Sequence, residues 1–167
     1  MSPTVRVSRS GARDLSDLDP LVSEAPMLTG KLSSAGQAIS HRRTFPGRID
    51  AVAGARRFLA GVLAGSPVAE AAELVLGELG ANAVLHSRSR QPGGVFTVRT
   101  EIAADRVRLE VTDLGGPWLK DAASAGGGAE DEHGRGLEIV GQLASLWGVI
   151  TGPRSRTVWC EFAHPKR

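Results

Sequence analysis

Glu78, Asn82 and His86 stand at steps of four. In a helix, four residues advance about 400°, so each lies only about 40° round from the last. Ala71, Leu74, Val75 and Leu85 fall within roughly 60° of the Glu78 direction by the same geometry. A carboxylate and a carboxamide therefore run along an apolar stripe, the side expected to face a core. Burying such groups without partners costs several kcal/mol. Either the fold supplies partners, or a ligand and a metal do. His86 lies at the edge of the stripe, where it could meet the mouth of a pocket.

Asp113 is a second anomaly. It continues the alternation Val107, Leu109, Val111, which marks the buried face of a strand. A carboxylate there needs a donor. Gly115 and Gly116 follow it, and their lack of side chains lets backbone come near a ligand. An aspartate that merely turns a strand into a loop would look the same. Gly134-Arg135-Gly136 is the third feature. At a helix start, open N–H groups and the helix dipole attract phosphate. A plain loop-to-helix junction has the same appearance. No GxxxxGK[ST], no GxGxxG after a strand and no HExxH occurs. Ser87 beside His86 lacks the strand–turn–helix elbow of a hydrolase.

These groups need elements to hold them. Residues 1–40 are rich in Ser, Gly, Ala and Pro and read as an irregular tail, with a weak helix at 17–24. A domain over 41–167 follows. A short strand at 41–45 ends in Pro46-Gly47. Asp50 can cap a helix over 51–63 that turns Val52, Ala55, Phe58, Leu59 and Val62 inward. Gly65-Ser66-Pro67 separates it from a long helix over 69–86. Gly77 and Gly80 weaken that helix by about 1 kcal/mol each, which close packing would offset. Strands at 95–103 and 106–113 form a hairpin through Ala104-Asp105. The stretch 114–133 is glycine-rich and patternless, as functional loops often are. A helix from Gly134 to Leu146 buries Leu137, Val140, Leu143 and Ala144, and strands at 147–151 and 157–162 close the chain.

The chain has 167 residues, enough for one core-forming domain and hardly for two. Hydrophobic residues make up 41% and charged residues 23%, the balance of a soluble globular protein. Net charge is +2 without a long basic block, and aromatics are 4%, which argues against nucleic-acid binding by stacking. The single Cys160 excludes an intrachain disulfide and a cysteine metal site, and fits a reducing compartment. No run is long enough to span a bilayer, and no apolar core follows Arg6, Arg9 and Arg13 to make a secretory signal. A cytoplasmic location is expected.

Taken together, Glu78-x-x-x-Asn82, then Asp113-x-Gly115, a glycine-rich loop and Gly134-x-Gly136 resemble the ATP-binding fold of the GHKL superfamily. That superfamily joins histidine kinases, type II topoisomerases, mismatch-repair ATPases and the ATP-dependent heat-shock chaperone. The short form with HGRGL and the ending TVWCEF most resembles the anti-sigma factor serine kinases. The resemblance covers residues 41–162. It implies a two-layer α/β (α+β) sandwich of the Bergerat type, with helices on one face of a mixed, mostly antiparallel sheet. ATP would lie between the layers under the 114–133 lid.

By position, Asn82 matches the Mg²⁺-holding asparagine, and Glu78 matches the carboxylate that is general base. Asp113 matches the acceptor of the adenine amino group, with Gly115 beside the base. Gly134 and Gly136 match the glycines whose backbone meets the phosphates, and Thr157 matches the threonine near adenine. Arg135 becomes a phosphate contact, and His86 and Leu137 join the nucleotide site as flanking residues. There are departures. Pro117 stands where a second glycine is usual, and Ser155 and Arg156 precede Thr157 where a glycine is usual. The first forty residues do not offer the helical hairpin of a histidine kinase phosphoacceptor. The implied activity is ATP–Mg²⁺-dependent phosphorylation of an antagonist protein on serine or threonine, by a protein that also binds a sigma factor. A homodimer is admitted; direct contact with nucleic acid or membrane is not expected. The alternative is a module that uses nucleotide only to set its conformation. A generic α/β domain would leave Glu78, Asn82 and Asp113 buried without partners.

Overall fold

The computed structural model describes residues 4–9, 19–21, 38–116 and 132–164, the side chains of 8, 9, 19–21 and 132–135 excepted. Strand β1 is Thr4–Arg9, β2 Asp19–Leu21 and β3 Ile39–Pro46. Helices α1 (Ile49–Val62) and α2 (Ala69–Leu85) follow, then a 3₁₀ turn at Arg88–Arg90. The hairpin β4 (Val95–Ile102) and β5 (Arg106–Asp113) leads to α3 (Glu132–Leu143), β6 (Leu146–Thr151) and β7 (Arg156–Ala163).

Among the described residues seven strands form one sheet, in the order β2-β1-β6-β7-β5-β4-β3. Every pairing is antiparallel, where a mixed sheet was expected. The α3 connection carries the chain from β5 to β6, which run the same way, but β7 lies between them. The α+β sandwich itself is as expected.

One face of the sheet is apolar by simple alternation. Phe96 and Val98, then Val107, Leu109 and Val111, then Val158, Cys160 and Phe162, with Trp147 and Val149, meet the helices in a single core. Val52, Ala55 and Leu59 of α1, Ala72, Val75, Leu76 and Leu79 of α2, and Leu137 and Val140 of α3 complete it. The other face carries alternating charges. Arg99 pairs with Glu101 and Glu110, and Arg108 bridges Glu110 at 2.8 Å and Glu161 at 3.0 Å. Trp159 is also on that face and is buried, with the Arg108 guanidinium 4.0 Å above its ring.

Three expectations need correction. The tail was read as irregular, yet Thr4–Arg9 pairs along β6 and Asp19–Leu21 pairs with β1, a strand inside the span read as a weak helix. Sheet pairing satisfies backbone groups whatever the side-chain pattern, so short strands of mixed composition leave little periodic signal. Asp50 does not cap α1: Arg48 holds the N-cap position, and its Nε donates to Asp50 Oδ1 at 3.0 Å. Leu143, expected inward, is 39% exposed at the last turn of α3. The remaining part of the expected lid, 117–131, lies outside the described residues.

Candidate functional site

Helix α2 carries Glu78 and Asn82, but not on its core side. The buried positions are Ala72, Val75, Leu76, Leu79, Gly80, Ala83 and Val84, centred about 145° round from Glu78. Leu74 and Leu85, in the Glu78 direction, are 47% and 49% exposed. The expected core stripe is therefore a flank, and Glu78 and Asn82 are half-buried on it. The helix is apolar round most of its circumference, so periodicity does not choose a face.

Gly80 packs α2 on α1: a Cβ there would stand 3.1 Å from Val52 Cγ1. At Gly77 it would stand 3.7 Å from Arg56 Cδ. Gly80 thus permits the close packing expected of it, whereas Gly77 leaves room for an ordinary contact.

The flank is covered by α3. A Cβ on Gly136 would lie 3.1 Å from Glu78 Oε2 and 3.3 Å from Asn82 Nδ2. Gly136 is buried, and its bare Cα lets the first turns of α3 sit close on this pair. The helix begins at Glu132, two residues before the expected start. By helix geometry the N–H groups of 132–134 have no intrahelical acceptor. Gly134 thus offers an open backbone donor at the positive end of α3, whereas Gly136 serves by close approach. The Arg135 side chain lies outside the described residues. Leu137 is buried in the core and contributes packing.

Asn82 Nδ2 is buried and has no hydrogen-bond partner among the described residues. A buried amide without a partner costs about 1–3 kcal/mol, which a ligand would recover. Its orientation is interchangeable with that of Oδ1, so the amide can present oxygen to a cation. Among the described residues no cluster of three His, Cys, Asp or Glu forms. That donor set suits Mg²⁺, which takes one or two protein oxygens and completes its shell with phosphate and water.

The C-terminus of α2 is tied to the Asp113 loop. His86, half-buried at the C-cap, donates its backbone N–H to Asn82 O at 3.0 Å. Ser87 Oγ donates to Ala83 O at 2.6 Å and accepts from Ser89 N at 2.9 Å. Arg88 N donates to Gly115 O at 2.7 Å, and Arg88 Nε donates to Leu114 O at 3.1 Å. Ser89 Oγ accepts from Leu114 N at 3.0 Å. Nothing in the sequence pattern singled out Ser87, Arg88 and Ser89 for this task.

Asp113 is 3% exposed at the end of β5, on the apolar face as the alternation required. Its Oδ1 accepts from Gly115 N at 2.7 Å, and the chain then turns away through a positive φ of 63° at Gly115, which favours glycine. Its Oδ2 accepts from Arg156 Nη2 in a buried ion pair. Burial pushes the Asp113 carboxyl above its ordinary value, against the opposing pull of Arg156 and the Gly115 N–H. Burial likewise pulls Arg156 down, against Asp113. Removing one partner of such a pair costs about 3–5 kcal/mol, because a buried charge is left alone.

Thr157 is not beside Asp113. The β5–β7 register sets Asp113 against Arg156 and Thr112 against Thr157. Thr157 Oγ1 lies 2.8 Å from Thr112 Oγ1, on the opposite face of the sheet by strand alternation. The residue that the fold brings to Asp113 is Arg156, which the sequence reading noted only as a departure. Its face could not be read ahead of time. Val158, Trp159 and Cys160 are all buried, so β7 shows no period of two. Burial raises the Cys160 thiol far above its ordinary value, which leaves it inert as a nucleophile. No helix among the described residues is long and apolar enough to cross a membrane.

No curated protein matches the chain closely. The model of the histidine kinase-like ATPase domain matches residues 45–162, from the end of β3 to β7. That span contains α2 with Glu78 and Asn82, the Asp113 loop and the start of α3, the three places where the geometry gathers polar groups. The chain belongs to the family of histidine kinase-like ATPase domains.

Proposed function

We propose that this chain binds ATP with Mg²⁺ and phosphorylates a partner protein on serine or threonine, as a regulatory kinase of the anti-sigma type. The observation that carries it is the meeting of Glu78 and Asn82 with Gly136 at the first turns of α3. A base, an amide ligand and a helix N-terminus then lie side by side. Bound Mg²⁺ supplies neutralisation of charge on the phosphate oxygens. Asn82 holds it through the amide oxygen, at the orphaned end of its side chain. The open N–H groups of 132–134 receive phosphate. Glu78 takes the proton of the attacking hydroxyl, and its half-buried place leaves it reachable. Asp113 accepts from the amino group of adenine. The sigma factor and antagonist that such a kinase serves are proposed from the sequence resemblance alone.

A second reading rests on the same contact. Because α3 sits directly on Glu78 and Asn82, nucleotide at that place would shift α3 and present a different surface to a partner without phosphoryl transfer. Labelled ATP separates the two. Transfer of label to a captured antagonist, lost in Glu78→Gln with nucleotide affinity kept, supports the kinase. Nucleotide-dependent capture of the partner without label would establish the switch.

A further inference from the structure

We propose that the open edge of β3 and the groove beside it dock an extended acidic segment of a partner protein, as an added antiparallel strand. A carboxylate of that segment would stand opposite Arg42, and an apolar side chain would enter the groove. The site takes none of the groups assigned to nucleotide, since β3 lies two strands from β5 and Asp113.

The backbone supplies the template. Among the described residues β3 pairs with β4 alone, at the end of the sheet. Alternation decides which of its groups are already bonded. Gly47 N donates to Gly94 O at 2.8 Å, and this contact continues the β3–β4 register. On the other side of β4, Ala103 N donates to Arg106 O at 2.9 Å and continues the β4–β5 register. Both contacts fix the same phase. The odd-numbered residues of β3 bond to β4, and Ser40, Arg42 and Thr44 turn N–H and C=O outward. All three are exposed. Pro46, which has no N–H, ends the row.

Charge chooses the occupant. Arg42 is the register partner of Arg99. Arg99 is paired with Glu101 and Glu110, whereas Arg42, Arg43 and Arg57 make no ion pair among the described residues. Like charges directly opposite destabilise a strand pair, and a carboxylate on the open side of Arg42 would relieve this one. The residue opposite Arg42 in an added strand puts its side chain on the Arg42 face, and its neighbours point to the other face. That other face holds the groove, an open cavity of about 400 Å³ lined by β3 and α1 alone. Its floor is aromatic: the Phe45 and Phe58 rings are 6.0 Å apart, with the Arg43 guanidinium 5.5 Å from the first. Asp50, the acidic group of its lining, is held by Arg48. Alternating acidic and apolar residues match both faces. A second copy of this chain would bring the same arginines against themselves.

The experiment titrates the full chain against two labelled peptides, one alternating glutamate and valine and the other lysine and valine. Fluorescence anisotropy reads binding, and NMR reads exchange of single backbone amides. Wild type should bind the glutamate peptide about fivefold or more tighter than the lysine peptide. Exchange of the Arg42 and Thr44 amides should slow on binding. Arg42→Glu should reverse the preference. Thr44→Pro removes an outward N–H and no bond to β4, so it should weaken the peptide and keep the fold. Equal binding of the two peptides by wild type, or binding of neither, would overturn the proposal. Binding that leaves the Arg42 and Thr44 amides unprotected would overturn it as well, because the peptide would sit elsewhere. Self-association of wild type that Thr44→Pro abolishes would assign the edge to a second copy instead. An oligothymidylate that displaces the peptide with equal affinity would show that the arginines take any polyanion, which also defeats it. The wild-type measurements decide the matter even if a variant does not fold.

Discussion

Gly136 lies against Glu78: a Cβ there would stand 3.1 Å from Glu78 Oε2, with Asn82 Nδ2 at 3.3 Å. One helix residue thus fixes how α3 approaches the two groups of α2 with the most chemistry. Gly136→Ala should separate stability from function. Alanine improves helix propensity by about 1 kcal/mol. Crowding costs about 1–3 kcal/mol, and here it meets the mobile ends of two side chains, so the lower figure applies. Thermal stability should change little while Mg²⁺-dependent ATP affinity falls. Unchanged affinity would show that α3 need not seat on the pair.

Glu78 and Asn82 should fail differently. Asn82→Ala removes the amide ligand, so the gain in ATP affinity on adding Mg²⁺ should disappear. Glu78→Gln keeps size and hydrogen bonding but cannot accept a proton. It should keep ATP affinity and lose transfer by about 10²–10⁴-fold if general-base catalysis dominates, toward the low end if positioning does. Titrations with and without Mg²⁺, beside single-turnover transfer, distinguish the two. A Glu78→Gln protein as fast as wild type removes Glu78 as the base.

Thr157→Val should leave ATP affinity unchanged. The hydroxyl faces Thr112 at 2.8 Å on the sheet face opposite Asp113, so its loss costs about 1 kcal/mol of stability and nothing at the base. A marked loss of ATP affinity without unfolding would return Thr157 to the site.

Asp113 should give stability a pH signature. Its folded-state value is raised above 3.8, mainly by burial. A raised acid binds its proton more tightly folded than unfolded. Its contribution is therefore fully present below the unfolded value and is lost as pH rises through the folded one. Asp113→Asn removes that titration and leaves a constant offset from Arg156. The variant's melting temperature minus that of wild type should increase from about pH 4 toward neutral. A flat difference would mean that Arg156 and Gly115 fully offset burial.

Two glycines test the packing of the first two helices. At Gly61 a Cβ meets nothing within 4 Å, so Gly61→Ala should stabilise by about 0.4–1 kcal/mol through the unfolded chain. At Gly80 it would stand 3.1 Å from Val52 Cγ1, on a branched side chain that cannot swing away. Gly80→Ala should cost about 1–3 kcal/mol less the propensity gain, a net destabilisation. Urea unfolding of the two variants should move in opposite directions.

Local periodicity determined a good deal of this protein. Alternation over Val107, Leu109 and Val111 placed Asp113 on the buried face, and it is there, because neighbouring residues of a strand have no choice but to alternate. The spans of α1, α2 and the β4–β5 hairpin followed from breakers and turns, which act within a few residues. Tertiary structure decided what depends on distant chain. It turned Glu78 and Asn82 to a flank, because α2 is apolar nearly all round and only its neighbours, α1, α3 and the sheet at β5, select the buried side. It drew Thr4–Arg9 onto β6 by backbone pairing, which side-chain patterns barely record. It set Arg156 rather than Thr157 beside Asp113, 43 residues away. A shift of one residue in strand register exchanges the faces, and β7, buried around Trp159 on both sides, carries no alternation from which that register could be read.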